Sequence, residues 1–171
     1  MLDIWGIQML REGEIAPRFS LPDTDMVLVS SVEFKGSKNI ILFFYSLEDS
    51  MDCTIKAIEF SEMIHDFRIE DTVIIGINSD CCNCHAKFRD RYGLSIMLLS
   101  DSTGKTCKAY KVWKNTPGKA HHKWKRCIRD STFIIDKKGV IKHILHEPNP
   151  VGHAAHTLDL IQSMREPSEA A

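Results

Sequence analysis

Apolar residues first gather without interruption at Asn39-Ile40-Ile41-Leu42-Phe43-Phe44-Tyr45, a run of strand length with the pattern of a strand covered on both faces. A central strand is predicted there. From Cys53 to Ile69 the pattern changes. Ala57, Phe60, Ile64 and Phe67 recur at helical spacing, which leaves Lys56, Glu59 and Glu62 to face water. Thr72 to Ile77 is a second β-rich run, and Cys82 to Tyr92 is a polar, helix-compatible stretch that stops at Gly93. This βαβα alternation implies a mostly parallel sheet, because parallel neighbours need a crossover connection.

Ser131 to Asp136 and Val140 to His146 are strand-like and joined by Lys137-Lys138-Gly139, an antiparallel hairpin. Ala154, Leu158 and Ile161 mark a closing amphipathic helix. Ahead of the first long strand, Ala16-Pro17, Phe19 and Leu21-Pro22-Asp23 predict a short extended segment and turn. The expected fold is α/β, a mixed central sheet with flanking helices, which is the architecture of thioredoxin-like domains. With no linker or repeat, residues 1–171 are expected to form one such domain, with a leader over 1–9 and a tail over 166–171 frayed.

Composition adds limits. A chain of 171 residues with 43% hydrophobic and 26% charged content can bury one core, and a net charge of -1 argues against a surface tuned to nucleic acid or anionic lipid. Met1 to Ile7 has no basic head and an early aspartate, so no secretory signal is read there, and no stretch reaches membrane-spanning length. The six cysteines are therefore expected in a reducing cytoplasm, as reactive, ligating or buried thiols.

Cys53 falls between the buried strand and the first turn of a helix, where unpaired N–H groups and the positive end of the helix dipole favour a thiolate. Ser50, three residues earlier, and Thr54 offer hydroxyls, while Glu48, Asp49 and Asp52 repel negative charge. Asp52 can also be read as the helix N-cap. Taken alone, a cysteine at this place is equally a buried structural thiol.

The segment Phe43-Phe44-Tyr45-Ser46-Leu47-Glu48-Asp49-Ser50-Met51-Asp52-Cys53-Thr54 resembles the peroxidatic loop of the peroxiredoxins, the alkyl hydroperoxide reductase/thiol-specific antioxidant family. Glu14 to Asp23 is similar to the family's opening. Leu98-Leu99-Ser100-Asp101, through Cys107 to Val112-Trp113, resembles its bacterioferritin-comigratory, or Q-type, branch, and Thr132 to Asp136 with Lys138-Gly139 its late hairpin. The resemblance implies a thiol-dependent peroxidase acting on hydrogen peroxide or small alkyl hydroperoxides through a cysteine sulfenic acid. Cys53 would be its nucleophile, Ser50 the peroxide-binding hydroxyl, and thioredoxin or another thiol the reductant. No cofactor, resident metal, nucleic acid or membrane partner is implied, and relatives are monomers and dimers alike.

Three positions depart from the family pattern. Ser46 replaces a proline that fixes the loop. Asp130 stands where an arginine is usual, three residues before Phe133, and Arg129 reaches that place only through a bulge; Arg126 is a weaker substitute. Asp52 replaces a small neutral residue. The alternative they support is a weakly or non-catalytic relative, kept as a redox sensor or as a metal- or partner-binding module.

Two resolving positions known in the branch are occupied by Ile58 and Arg89, which leaves Cys82 and Cys84 as candidate resolving thiols or points to a one-cysteine cycle. Cys81-Cys82-Asn83-Cys84-His85 also has the cysteine, two residues, cysteine, histidine spacing of a haem attachment site or half a zinc site, the latter needing partners such as His121 and His122. More often such a cluster is a set of ordinary thiols at a helix start, or an oxidisable pair, and a Cys81–Cys84 disulfide is the best of the specific readings. Cys107 reads as packing. Ser102 to Arg129 carries nine lysines and arginines and no acid, a solvated connection by default, or a source of positive potential near the active site.

Overall fold

In the computed structural model, residues 9–46, 51–116 and 125–165 are described. The leader before Met9 and the tail from 166 lie outside them. A small antiparallel hairpin, β1 (Ser20–Pro22) and β2 (Leu28–Ser30), forms where an extended segment and turn are predicted. Its turn is held by Asp23, whose carboxylate accepts from the backbone N–H of Asp25 and Val27 at 2.8 and 2.9 Å.

The main sheet has five strands in the order β5 (Met97–Ser100), β4 (Thr72–Asn78), β3 (Asn39–Phe44), β8 (Ser131–Ile135), β9 (Ile141–His146). β3 pairs in parallel with β4, and β4 with β5, while β3–β8 and β8–β9 are antiparallel. The sheet is mixed, with the predicted strand at its centre. Ile40, Leu42 and Phe44 enter one core, and Ile41, Phe43 and Tyr45 the other, which explains why the run shows no polar alternation. Phe43, Phe44 and Tyr45 are fully buried, each contributing roughly 2–3 kcal/mol relative to exposure.

Helices α1 (Met51–Glu62), α2 (Ile64–Ile69) and α5 (His153–Ser163) build the second core, joined by Phe88 of α3 (Cys82–Tyr92). The predicted continuous helix from Cys53 to Ile69 is broken at Met63 (φ -92°, ψ 9°), which lets α2 lean onto β4. Helix α3 ends as predicted, on Gly93 in the left-handed conformation.

Two expectations about surface residues fail. Lys56 does not face water but is 0% exposed, and Glu59 is half-buried because its carboxylate accepts from the N–H of Gly152 and Ala154 at 2.9 and 3.5 Å, capping α5. Only Glu62 of the three is exposed.

The basic segment is structured where it is described. It contains α4 (Lys105–Ala109) and an antiparallel hairpin, β6 (Trp113–Thr116) with β7 (Lys125–Ile128), in place of a solvated connection. Cys127 is a β7 residue opposite Lys114, and Cys107 is buried in the first core, with its N–H bonded to Asp101 at 2.8 Å. His121, His122 and Trp124 lie outside the described residues.

Gly76 sits beneath the rings that line the second core. A Cβ there would lie 2.7 Å from Phe43 and 3.1 Å from Tyr45. Gly76→Ala is therefore expected to destabilise by about 1–3 kcal/mol through overpacking, read as a lower urea midpoint with an unchanged slope.

Candidate active site at the start of the first helix

β3 and β4 end side by side, Phe44 opposite Ile77, and the Tyr45 N–H extends the ladder to the Ile77 carbonyl at 3.2 Å. Both strands run the same way, so the segments following them emerge at one edge of the sheet. The first leads into α1, whose opening turn carries Cys53; the second leads into α3, whose N-cap is Cys81.

Cys53 is 6% exposed and packs with Ala57, Phe60 and Ala154 in the second core. Its place in the first turn lets orphan N–H groups and the helix dipole stabilise negative charge on sulfur. Asp52 is exposed inside that turn, not at the cap, and acts in the opposite sense. Ser46 is half-buried just before the loop, whereas Glu48, Asp49 and Ser50 lie outside the described residues.

Lys56 lies one turn beyond Cys53 on the same helical face, and its ammonium pairs with the Asp130 carboxylate. Asp130 thus reaches into the helix from the strand side, at the register where the family arginine is expected. Burial raises its carboxyl, an effect that the Lys56 charge partly offsets. Arg129 turns elsewhere, with Nε 3.4 Å from Glu147, whose carboxyl Lys114 at 3.2 Å and Arg129 hold below the usual range. A register irregularity in β8–β9 falls between Ile134 and Ile135, past both residues, so it does not exchange their directions. The two neighbours thus serve different partners, Asp130 the Lys56 ammonium and Arg129 the Glu147 carboxylate. The Arg126 side chain is outside what is described.

In the sequence Tyr45 marks the end of a strand and the start of the segment that resembles the peroxidatic loop, with no role of its own. It is fully buried, its ring centroid lies 6.3 Å from His85 and 6.2 Å from Phe88 on α3, and its hydroxyl has no hydrogen-bond partner among the described residues. Burial pushes that hydroxyl up, with further contributions from the negative charges of Asp80 and Cys53. Tyr45 therefore links the surroundings of Cys53 to the start of α3. Nothing in periodicity marks this; only the pairing of β3 with β4 does.

At that start, the Cys81 and Cys84 sulfurs are 2.8 Å apart, and Cys82 is half-buried beside them. His85, which the spacing offered as a haem or zinc ligand, turns inward instead. It is fully buried, bonds Asn78 through Nε2, and is held neutral by burial, its pKa lowered to about 4. Among the described residues no group of three or more histidines, cysteines or acids is placed to hold a metal ion. His153 is likewise buried beneath the site, bonding Thr132 at 2.9 Å, with its pKa lowered to about 4 by burial and then by Lys56 and His156.

A sheet of this order carrying a cysteine at the strand-to-helix turn defines a thioredoxin-fold thiol protein. The sequence profile of the AhpC/TSA family matches residues 13–144, and the chain belongs to that family. Peroxiredoxin Bcp of Bacillus subtilis is 32% identical over 157 residues, covering 92% of this chain and 96% of its own length. Chloroplastic peroxiredoxin Q of Triticum aestivum is 31% identical over 158 residues, covering 90% and 67%. The fold is shared with peroxidoxin BcpB from Mycobacterium tuberculosis, with a TM-score of 0.81 over 93% of this chain and 100% of that one at 24% identity. Among the described residues no helix is long and apolar enough to cross a membrane.

Asp130→Asn leaves Lys56 charged and buried without its counter-ion, so it is expected to lose about 3 kcal/mol, whereas Lys56→Met with Asp130→Leu recovers most of that loss. Urea unfolding of the two variants checks the difference. The depressed pKa values of His85 and His153 mean that the unfolded chain binds more protons below pH ~6.5. Stability is therefore expected to fall as pH drops from about 6.5 toward 4, by on the order of 3 kcal/mol per histidine. A flat pH profile that is unchanged in His153→Phe would contradict this.

Proposed function

We propose that this protein is a thiol-dependent peroxidase that reduces hydrogen peroxide or small alkyl hydroperoxides, with Cys53 as the reacting thiol. The observation that carries the reading is the Cys53 position, buried in the opening turn of α1 with the Lys56 ammonium one turn on. The Cys53 thiolate attacks the terminal peroxide oxygen, the O–O bond breaks, and the sulfur keeps that oxygen as a sulfenic acid while the alkoxide or hydroxide leaves and takes up a proton. Membership of the AhpC/TSA family and relatives named peroxiredoxin support the same chemistry.

Ser50 supplies the hydroxyl that orients the peroxide. Lys56, on the cysteine's own helix, serves the developing negative charge, whereas Arg129, the arginine candidate from the sequence, is engaged by Glu147 and would have to leave it to act at the sulfur. The sulfenic acid is reduced by a second thiol, either from the cysteine cluster opening α3, in which the sequence offers Cys82 and Cys84, or from thioredoxin or a similar external thiol. The protein works as a monomer or homodimer in the reducing cytoplasm, a setting that six cysteines without a disulfide framework suit.

Stopped-flow mixing of the reduced protein with hydrogen peroxide is expected to show rapid oxidation that vanishes in Cys53→Ser, with intact mass reporting one oxygen added or two hydrogens lost. Equal rates for the two proteins would remove Cys53 from the chemistry.

A further inference from the structure

Cys53 is buried, whereas Cys81 and Cys84 are exposed. A protein reductant can approach the second pair far more easily than the first. The pair is also built for exchange. Cys81 is the N-cap of an eleven-residue helix, its sulfur accepts from the Cys84 N–H at 3.4 Å, and the two sulfurs stand 2.8 Å apart, closer than unbonded sulfurs in van der Waals contact. Contact with the Cys84 thiol holds Cys81 below the usual thiol range, and the same contact pushes Cys84 up. That asymmetry gives one attacking sulfur and one held in reserve.

The base under the pair is rigid. Asn78 donates to the Asp80 carboxylate and accepts from the Asp80 N–H, both at 2.8 Å, the Ser100 hydroxyl donates to the Asp80 carbonyl, and His85 anchors the first turn of α3 to Asn78. Tyr45 bridges this base and Cys53 from inside, and the parallel pairing of β3 and β4 brings both helix starts to one sheet edge.

We infer that Cys81 and Cys84 form a dithiol relay that reduces oxidised Cys53 and ends the peroxide half-reaction as a Cys81–Cys84 disulfide, which a protein dithiol then reduces at the surface. This rests on Cys53 being the peroxide-reactive thiol. In the first step the Cys81 thiolate attacks the Cys53 sulfenic sulfur, an S–S bond forms, and the hydroxyl leaves as water after taking a proton. The Cys84 thiolate then attacks the Cys81 sulfur, and Cys53 departs as a thiolate. The two electrons accepted by the peroxide thus come from the Cys81–Cys84 pair. An external dithiol restores that pair by the same exchange and becomes a disulfide itself. Cys82, whose sulfur is not the one that meets Cys84, takes no part.

The test is to treat the reduced full-length protein with an equimolar amount of hydrogen peroxide, quench it with an alkylating agent, and map cysteines by peptide mass with dimedone present to trap sulfenic acid. Wild type is expected to yield the Cys81–Cys84 disulfide with Cys53 reduced, Cys84→Ser a Cys53–Cys81 disulfide, and Cys81→Ser a dimedone adduct on Cys53. In Cys53→Ser the Cys81–Cys84 disulfide is lost over the same interval. Both substitutions in the pair are at exposed positions, and serine keeps the capping role at residue 81, so circular dichroism should match wild type. A wild-type dimedone adduct on Cys53 with Cys81 and Cys84 still alkylated as thiols would overturn the relay while leaving the peroxidase reading intact. A Cys81–Cys84 disulfide formed equally fast without Cys53 also overturns it. A Cys53 that does not react at all overturns both.

Discussion

The parallel pairing of β3 with β4 is the constraint on which the rest of the site depends. Parallel strands cannot turn back on themselves, so each hands its chain to a helix at the same edge of the sheet. That edge therefore receives two helix starts, each bearing cysteine, with the Tyr45 ring filling the interior between them. The close contact is possible because Gly76 leaves room under Phe43 and Tyr45. Backbone topology creates the neighbourhood, and core packing fixes its dimensions.

Electrostatics then take an arrangement that differs from the family pattern. An acid occupies the usual arginine register, and the helix answers with a buried lysine. Considered alone, either substitution would place an uncompensated charge in the core, at a cost of several kcal/mol. Together they are a matched pair, and the positive end lies on the helix that carries the thiol. Arg129, next to Asp130, is engaged with Glu147, whose carboxylate Lys114 also holds.

Much of this was legible in the sequence. The uninterrupted run at 39–45 announced a strand with two covered faces, and Gly93 marked the end of α3, because in both cases local pattern and tertiary demand agree. Cys53 was recognisable from its place between strand and helix. The burial of Lys56 was not legible. On α1 it falls on the face of Cys53, Ala57 and Phe60, but its charge argues for water, and only Asp130, distant in sequence, makes its burial tolerable. The β6–β7 hairpin was hidden for a different reason, since its four-residue strands are too short and too polar to show the alternation that marks a half-buried sheet. The inward turn of His85 depended on Asn78, a partner that the cysteine spacing could not reveal.

Helix α1 is fastened at two points beyond its opening turn, by Lys56 to Asp130 and by Glu59 to the start of α5. The first turn, which carries Cys53, lies before both anchors. Unwinding of that turn alone would break neither anchor, so it would not of itself undock the rest of the helix from the sheet. The cost of exposing the thiol would then be set by the contacts Cys53 itself makes in the second core, and not by the two anchors that hold the rest of the helix.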